Sequence, residues 1–257
     1  MNTIEREAAV LPEPNIIGMD AIPRALKAGL SDFLRAPVYG LFFSLFYVLG
    51  GLVIWQVYVA SGQEWWVMPF VVGFPLLAPF AAIGLYEVSR RIEAGEPLVF
   101  GEIVGTVFAQ RHRQVPSMAM VVLLLFMFWV FVAHTIFALF MGLSAMTNVS
   151  QSLGFLMTGN GPMMLAIGTV IGAGFAGVLF SCTVVGLPLL LEREVDFISA
   201  IIVSFRAVFA NLPVMIVWGV IIAALLAIGM VPMFVGLFVV LPILAHASWH
   251  MYRELMG

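Results

Sequence analysis

In the stretch HASWHMYREL, residues 246–255, His246 and His250 stand four apart, so both imidazoles fall on one face of a helix. That spacing lets a single helix offer two nitrogen ligands, and imidazole suits zinc, copper or haem iron. Two ligands do not complete a site. Glu254 is the carboxylate beside the pair, and His112, His134 and Glu87 are the other donors available elsewhere in the chain. The competing reading is that His246 and His250, with Trp249, Tyr252 and Arg253, mark where a last helix leaves lipid, because aromatic and basic side chains gather at that boundary.

Other candidates are sparse. His134, in FWVFVAHTIFALF, falls near the middle of an apolar stretch, where it can ligate haem iron or donate to a backbone carbonyl. Glu87 precedes Arg90 and Arg91 by three and four residues, a spacing that allows pairing on one helix face. Pro69, Gly73, Pro75, Pro79 and Gly84 imply a bent helix, which serves either a transport cavity or packing. Gly168, Gly172, Ala173 and Gly177 have the spacing of close helix packing. The single cysteine, Cys182, excludes an intrachain disulfide and a cysteine-only metal site. No nucleophile with its base, phosphate loop or paired intramembrane carboxylate is present.

The elements that must position these groups are set by composition. Apolar residues make up 63% of the 257-residue chain and charged residues 10%, with a mean hydropathy of +1.11. Soluble domains carry about a quarter charged residues, so the solvent here is a lipid bilayer. A net charge of −3 gives no basic surface for nucleic acid. Six apolar stretches have about the 20 residues that a bilayer core requires: 38–60, 66–86, 117–143, 162–191, 212–229 and 231–249, none containing Asp, Glu, Lys or Arg. The turn Gly229-Met230-Val231-Pro232 makes the last two a tight helical hairpin. The first twenty residues include Glu5, Arg6, Glu7, Glu13 and Asp20 and do not read as a cleavable signal.

All eleven Lys and Arg residues fall on one side of this six-span arrangement. The opposite connections, 61–65, 144–161 and 229–232, hold none. Basic flanks are retained in the cytoplasm, so both termini are expected to be cytoplasmic in a bacterial inner membrane. Trp65, Trp66, Trp249 and Tyr252 sit at span ends, as interface-seeking aromatics do.

Three cytoplasmic segments show apolar residues at helical spacing ahead of Pro37, Pro116 and Pro213. Their stripes are Ile22, Leu26, Leu30, Phe33 and Leu34, with Asp20 as cap; Phe100, Ile103, Val104, Val107 and Phe108; and Phe197, Ile201, Phe205, Val208 and Phe209. The expected fold is an all-α polytopic membrane protein, a single domain over 1–257. It has about six transmembrane helices as three hairpins, each preceded by a cytoplasmic amphipathic helix, in repeat-like units near 20–91, 97–191 and 195–253. Such amphipathic helices bury their stripe in the headgroup boundary or against the bundle.

Three stretches carry a family resemblance: LKAGLSDF at 26–33, GFPLLAPF running into GLYEVSRR over 73–91, and HASWHMYR at 246–253. Together they resemble a family of bacterial integral membrane proteins catalogued as a domain of unknown function, some of whose members are labelled putative cytochrome c oxidase subunit I. The resemblance transfers no activity. An oxidase catalytic subunit needs more spans and more histidine ligands than the six stretches and four histidines here, so only an accessory role beside a respiratory complex is compatible with the label. Three readings follow. The first is a non-catalytic membrane protein with a cytoplasmic partner surface; the second is a respiratory accessory binding haem or copper through His246 and His250; the third is a transporter of a neutral or apolar substrate.

Overall fold

The computed structural model describes residues 11–61, 79–142, 157 and 159–257. All regular elements among the described residues are helical. In chain order they are α1 (Ala21–Arg35), α2 (Pro37–Ser61), α3 (Pro79–Ala94), α4 (Phe100–Ala109), a short 3-10 turn (Gln110–His112), α5 (Val115–Met141), α6 (Gly161–Thr183), α7 (Gly186–Glu192), α8 (Phe197–Ala210), α9 (Leu212–Met230) and α10 (Leu237–Met256).

Among the described residues, four spans are long and apolar enough to cross a bilayer: Pro37–Val57, Val115–Met141, Gly161–Glu192 and Leu212–Met230. At most 28% of the most apolar stretch of any of them is buried within the chain. Residues such as Phe46, Leu139, Val170 and Val220 are exposed along their lengths, and only lipid makes that favourable. Most of the expected span 66–86, including Trp65, Trp66, Pro69, Gly73 and Pro75 near or within it, lies outside the described residues.

Prolines set the boundaries. The residue before a proline is pushed out of the helical region, and Ala36, at φ −135° and ψ 51°, separates α1 from the Pro37 that opens α2. Pro188 lacks an amide and crowds the carbonyl four residues earlier. The helix accordingly breaks between α6 and α7 at Val184 and Val185, and the freed Val185 amide donates to Ser204 Oγ of α8 at 3.1 Å. Between α9 and α10 the turn runs over 231–236, so the last helix starts at Leu237 and not at 231 as expected. Met233 (φ 49°) and Phe234 (φ 67°) adopt left-handed backbone there. That costs about 1–2 kcal/mol per residue, offset by burial of the Phe234 ring beside Val48 and Leu237. The turn also presses Gly236 against Gly229, where an added Cβ would lie 2.6 Å from the Gly229 carbonyl oxygen.

The three expected short helices are present as α1, α4 and α8, but their packed faces differ from the stripes read in the sequence. In α1 the buried residues are Ala21, Ile22, Ala25, Gly29 and Asp32, while Leu30 and Leu34 face outward. Ile103 alone is buried in α4, with Phe100 and Phe108 exposed. The buried face of α8 is Ala200, Val203, Ser204, Ala207 and Val208, and Phe209 is exposed. Small residues let helices approach closely, so they supply most of the packed faces of α1 and α8 while much of the bulky stripes points away from the bundle. Asp20 does not cap α1; its carboxylate pairs with Arg24.

α10 packs most extensively on α1, then on α2 and α3. The closest approach is at Gly29, where an added Cβ would meet Ala247 N at 2.5 Å and Ile243 O at 2.7 Å. Gly84 is likewise closed off by the Phe43 ring of α2, so this member of the bent-span set is a packing residue. Of the expected small-residue contacts in α6, only Gly172 meets another helix, at the Trp129 ring, while Gly168 and Gly177 face open space within this chain.

Candidate functional site

Asp32, Ser89, His246 and His250 meet where α1, α3 and α10 cross at the charged end of the bundle. The close Gly29 contact brings Asp32, three residues on, against α10. Its Oδ2 accepts from the Ser89 hydroxyl at 2.8 Å and contacts His250 Nε2 at 2.7 Å. Ser89 Oγ also lies 2.7 Å from His246 Nδ1. Asp32, Ser89 and His246 are buried, and the His250 side chain is 21% exposed. Burial pushes the Asp32 carboxyl up, but hydrogen bonds from His250 and Ser89 outweigh it and hold the group below the ordinary aspartate value.

The two histidines therefore do share a helix face, as their spacing requires, and both are engaged by one carboxylate system on neighbouring helices. No group of three or more His, Cys, Asp or Glu arranged to hold a metal ion occurs among the described residues. The other histidines stand elsewhere: His134 Nδ1 lies 2.7 Å from the Val130 carbonyl of its own helix, and His112 accepts from Arg111 Nε at 2.8 Å.

Outside this cluster runs a ring of ion pairs. Glu87 is 2% exposed; Arg90 grips both its carboxylate oxygens at 2.8 and 3.0 Å, and Arg91 Nε adds a third bond at 2.8 Å. Burial raises the Glu87 carboxyl, and these two guanidinium groups more than reverse that, leaving it below the ordinary glutamate value. Arg90 reaches on to Glu96, and Arg91 to Glu102 at the start of α4. From α10, Arg253 bonds Glu93 at 3.1 Å and Glu192 at 2.8 Å. The Trp249 indole N–H donates to Glu93 at 3.1 Å, and the Tyr252 hydroxyl donates to Glu192. Burial first, and then the neighbouring Glu192 carboxylate, push the Tyr252 hydroxyl far above its usual range. Arg24 of α1 joins Glu254 at 2.8 and 2.9 Å.

Trp249 and Tyr252 are fully buried, which corrects the expectation that they lie at the lipid edge. Their rings form a core layer with Tyr86, tilted against one another at 6.3 Å for Tyr86 and Trp249 and 5.5 Å for Trp249 and Tyr252. Arg253 lies 5.9 Å over the Trp249 ring. The structure thus gathers Glu87, Arg90, Arg91, His246, His250, Trp249, Tyr252 and Arg253 at one end of the bundle and leaves His134 out of it. Asp32, Ser89, Glu93 and Glu192 complete the assembly and were not among the candidates. A cavity of about 570 Å³ opens within the ring, lined by Glu87, Glu93, Glu192, Arg113 and Arg253 among others.

Residues 67–192 match the model of a family described as "Predicted integral membrane protein (DUF2189)". The match runs through α3 to the last residue of α7, so it takes in Glu87, Ser89, Arg90, Arg91, Glu93 and Glu192. No curated protein and no solved structure matches the chain.

Proposed function

We propose that this chain, whose residues 67–192 match the model of the predicted integral membrane proteins of the DUF2189 family, is a non-catalytic protein of the bacterial inner membrane. In this reading it crosses the bilayer six times in three hairpin units, near 20–91, 97–191 and 195–253, with both termini in the cytoplasm. Its cytoplasmic end is a rigid charged platform that holds a partner, and a respiratory complex is the partner class suggested by the resemblance.

The observation that carries this reading is that the chemistry-bearing side chains at that end bond to one another. Ser89 is buried against His246 and Asp32, where no substrate carbonyl or phosphoryl group can reach its hydroxyl. The carboxylates of Glu87, Glu93 and Glu192 are each held by arginine. Such a network fixes the relative positions of α1, α3, α7 and α10, which is what a docking platform needs and what general acid or base work does not. Basic residues flanking the spans support the cytoplasmic placement: Arg35 precedes Pro37, Arg113 precedes Val115, and Arg193 follows Glu192.

Purification of the full-length chain in mild detergent, with mass spectrometry of stoichiometric companions and an absorption spectrum, tests the proposal. A companion protein is expected that is lost when the exposed rim residues Glu96 and Arg111 are reversed in charge, with the bundle still folded. A chain that purifies alone, or one carrying a Soret band or one copper per chain, overturns it.

A further inference from the structure

We propose that the cavity between α3, α7 and α10 is a binding site for a phosphate ester that bears a hydroxyl group. Four arginines line it, Arg90, Arg91, Arg113 and Arg253, with three glutamates, Glu87, Glu93 and Glu192, while Glu96 and Glu102 pair with Arg90 and Arg91 from outside the lining. Each of these glutamates is ion-paired, Glu87 with Arg90 and Arg91, and Glu93 and Glu192 both with Arg253. Arg113 has no carboxylate partner among the described residues. It makes only two bonds, at 3.4 Å to the Leu191 carbonyl and 3.1 Å to the Arg193 carbonyl.

Three of these arginines keep a guanidinium nitrogen with no hydrogen bond among the described residues. They are Nη2 of Arg91, Nη2 of Arg253 and Nε of Arg113. Planar guanidinium donors spaced around one cavity match the oxygens of a tetrahedral phosphate, which accepts several charge-assisted bonds at once. A second observation gives the ligand a further feature. Gln110, 4% exposed, also lines the cavity, and its Oε1 is buried with no hydrogen-bond partner. An unpaired buried acceptor costs about 1–3 kcal/mol, and a hydroxyl on the ligand supplies the missing donor.

The depth of the cavity points the same way. Arg113 stands just before the span that begins at Val115, and Leu191 and Glu192 end the span that begins at Gly161. The cavity therefore sits where two spans leave the hydrocarbon, the level of lipid phosphates. Two sources share the required chemistry: the phosphoglycerol headgroup of an anionic lipid, and a soluble phosphate ester.

The test uses the full-length protein in detergent with inorganic phosphate, glycerol 3-phosphate, and nanodiscs of phosphatidylglycerol or phosphatidylcholine, read by native mass spectrometry and by the shift in thermal unfolding. Binding of phosphatidylglycerol but not phosphatidylcholine, with glycerol 3-phosphate ineffective, assigns the lipid source; binding of glycerol 3-phosphate without lipid assigns the soluble one. In either case Arg113→Gln is expected to weaken binding about ten- to a hundredfold, the loss of a hydrogen-bonded charge. Arg206→Gln, which removes an exposed cation of α8 that does not line the cavity, leaves binding unchanged. Thr106→Glu adds a negative charge at the cavity wall without touching an arginine bond and is expected to weaken binding as strongly. The proposal is overturned if no phosphate source binds the wild type. It is equally overturned if Arg113→Gln and Thr106→Glu bind like the wild type, or if Arg206→Gln loses as much as Arg113→Gln.

Discussion

Gly29→Ala sets two known effects against each other. In the interior of a helix this substitution normally stabilises by about 1 kcal/mol, because alanine loses less backbone entropy. At Gly29 the new Cβ would sit 2.5 Å from Ala247 N, 2.7 Å from Ile243 O and 2.8 Å from Ala247 Cα. All three are backbone atoms of α10, so no rotamer change relieves the contact and α1 must move away as a body. Overpacking of this kind costs about 1–3 kcal/mol, and a clash with rigid backbone belongs at the upper end. Movement of α1 also stretches the bonds from Asp32 to Ser89 and His250. The net expectation is a loss of about 2 kcal/mol, or roughly 4–8 °C in Tm for a chain of this size.

Gly105→Ala is the matched control, since Gly105 lies within α4 and an added Cβ there meets nothing within 4 Å. It should raise Tm by about 2–4 °C. Thermal unfolding of the two variants in one detergent, followed by tryptophan fluorescence, reads both signs. A Gly29→Ala protein as stable as the Gly105→Ala protein would refute the close packing of α1 on α10.

His250→Phe leaves the buried Asp32 carboxylate with Ser89 alone and should cost about 3 kcal/mol; combining it with Asp32→Asn should recover most of that loss, whereas simple additivity of the two would show that the pair does not interact. Asp32 and Glu87 both titrate below their ordinary values when folded. Their contribution to stability is present above the unfolded pKa values of about 4 and is lost as pH falls through the folded ones, so unfolding midpoints should decline steeply below about pH 4.5. Midpoints that rise on acidification would contradict both assignments. Trp249→Phe removes the N–H that Glu93 accepts, for an expected loss of about 1 kcal/mol by the same unfolding assay, and an unchanged midpoint would show that this bond is not formed.

The membrane class and the three short helices before Pro37, Pro116 and Pro213 were legible in the sequence, because apolar length and proline placement act locally. The orientation of those helices was not. Leu30 and Leu34 belong to a stripe that either the headgroup boundary or the bundle could bury, and here they face away from the bundle. Ala25, Gly29 and Asp32, spaced four and three residues apart, were the available signal: a small-residue face carrying one carboxylate. Glu87 with Arg90 and Arg91 was readable from i,i+3 and i,i+4 spacing and is as expected. Asp32 with His250 joins residues 218 apart, and no spacing in a single sequence announces such a pair. Trp249 and Tyr252 were read as boundary residues because their polar tips fit that role; here the same tips are satisfied internally by Glu93 and Glu192.

Placement of the charged end in the cytoplasm is tested most directly by cysteine labelling in intact cells. With Cys182, the sole native cysteine, replaced by alanine, single cysteines are introduced at the exposed positions Glu96, Arg111 and Asn160. A membrane-impermeant maleimide should label the Asn160→Cys protein in intact cells, and the Glu96→Cys and Arg111→Cys proteins only after permeabilisation. Labelling of Glu96→Cys or Arg111→Cys from outside intact cells would contradict the account.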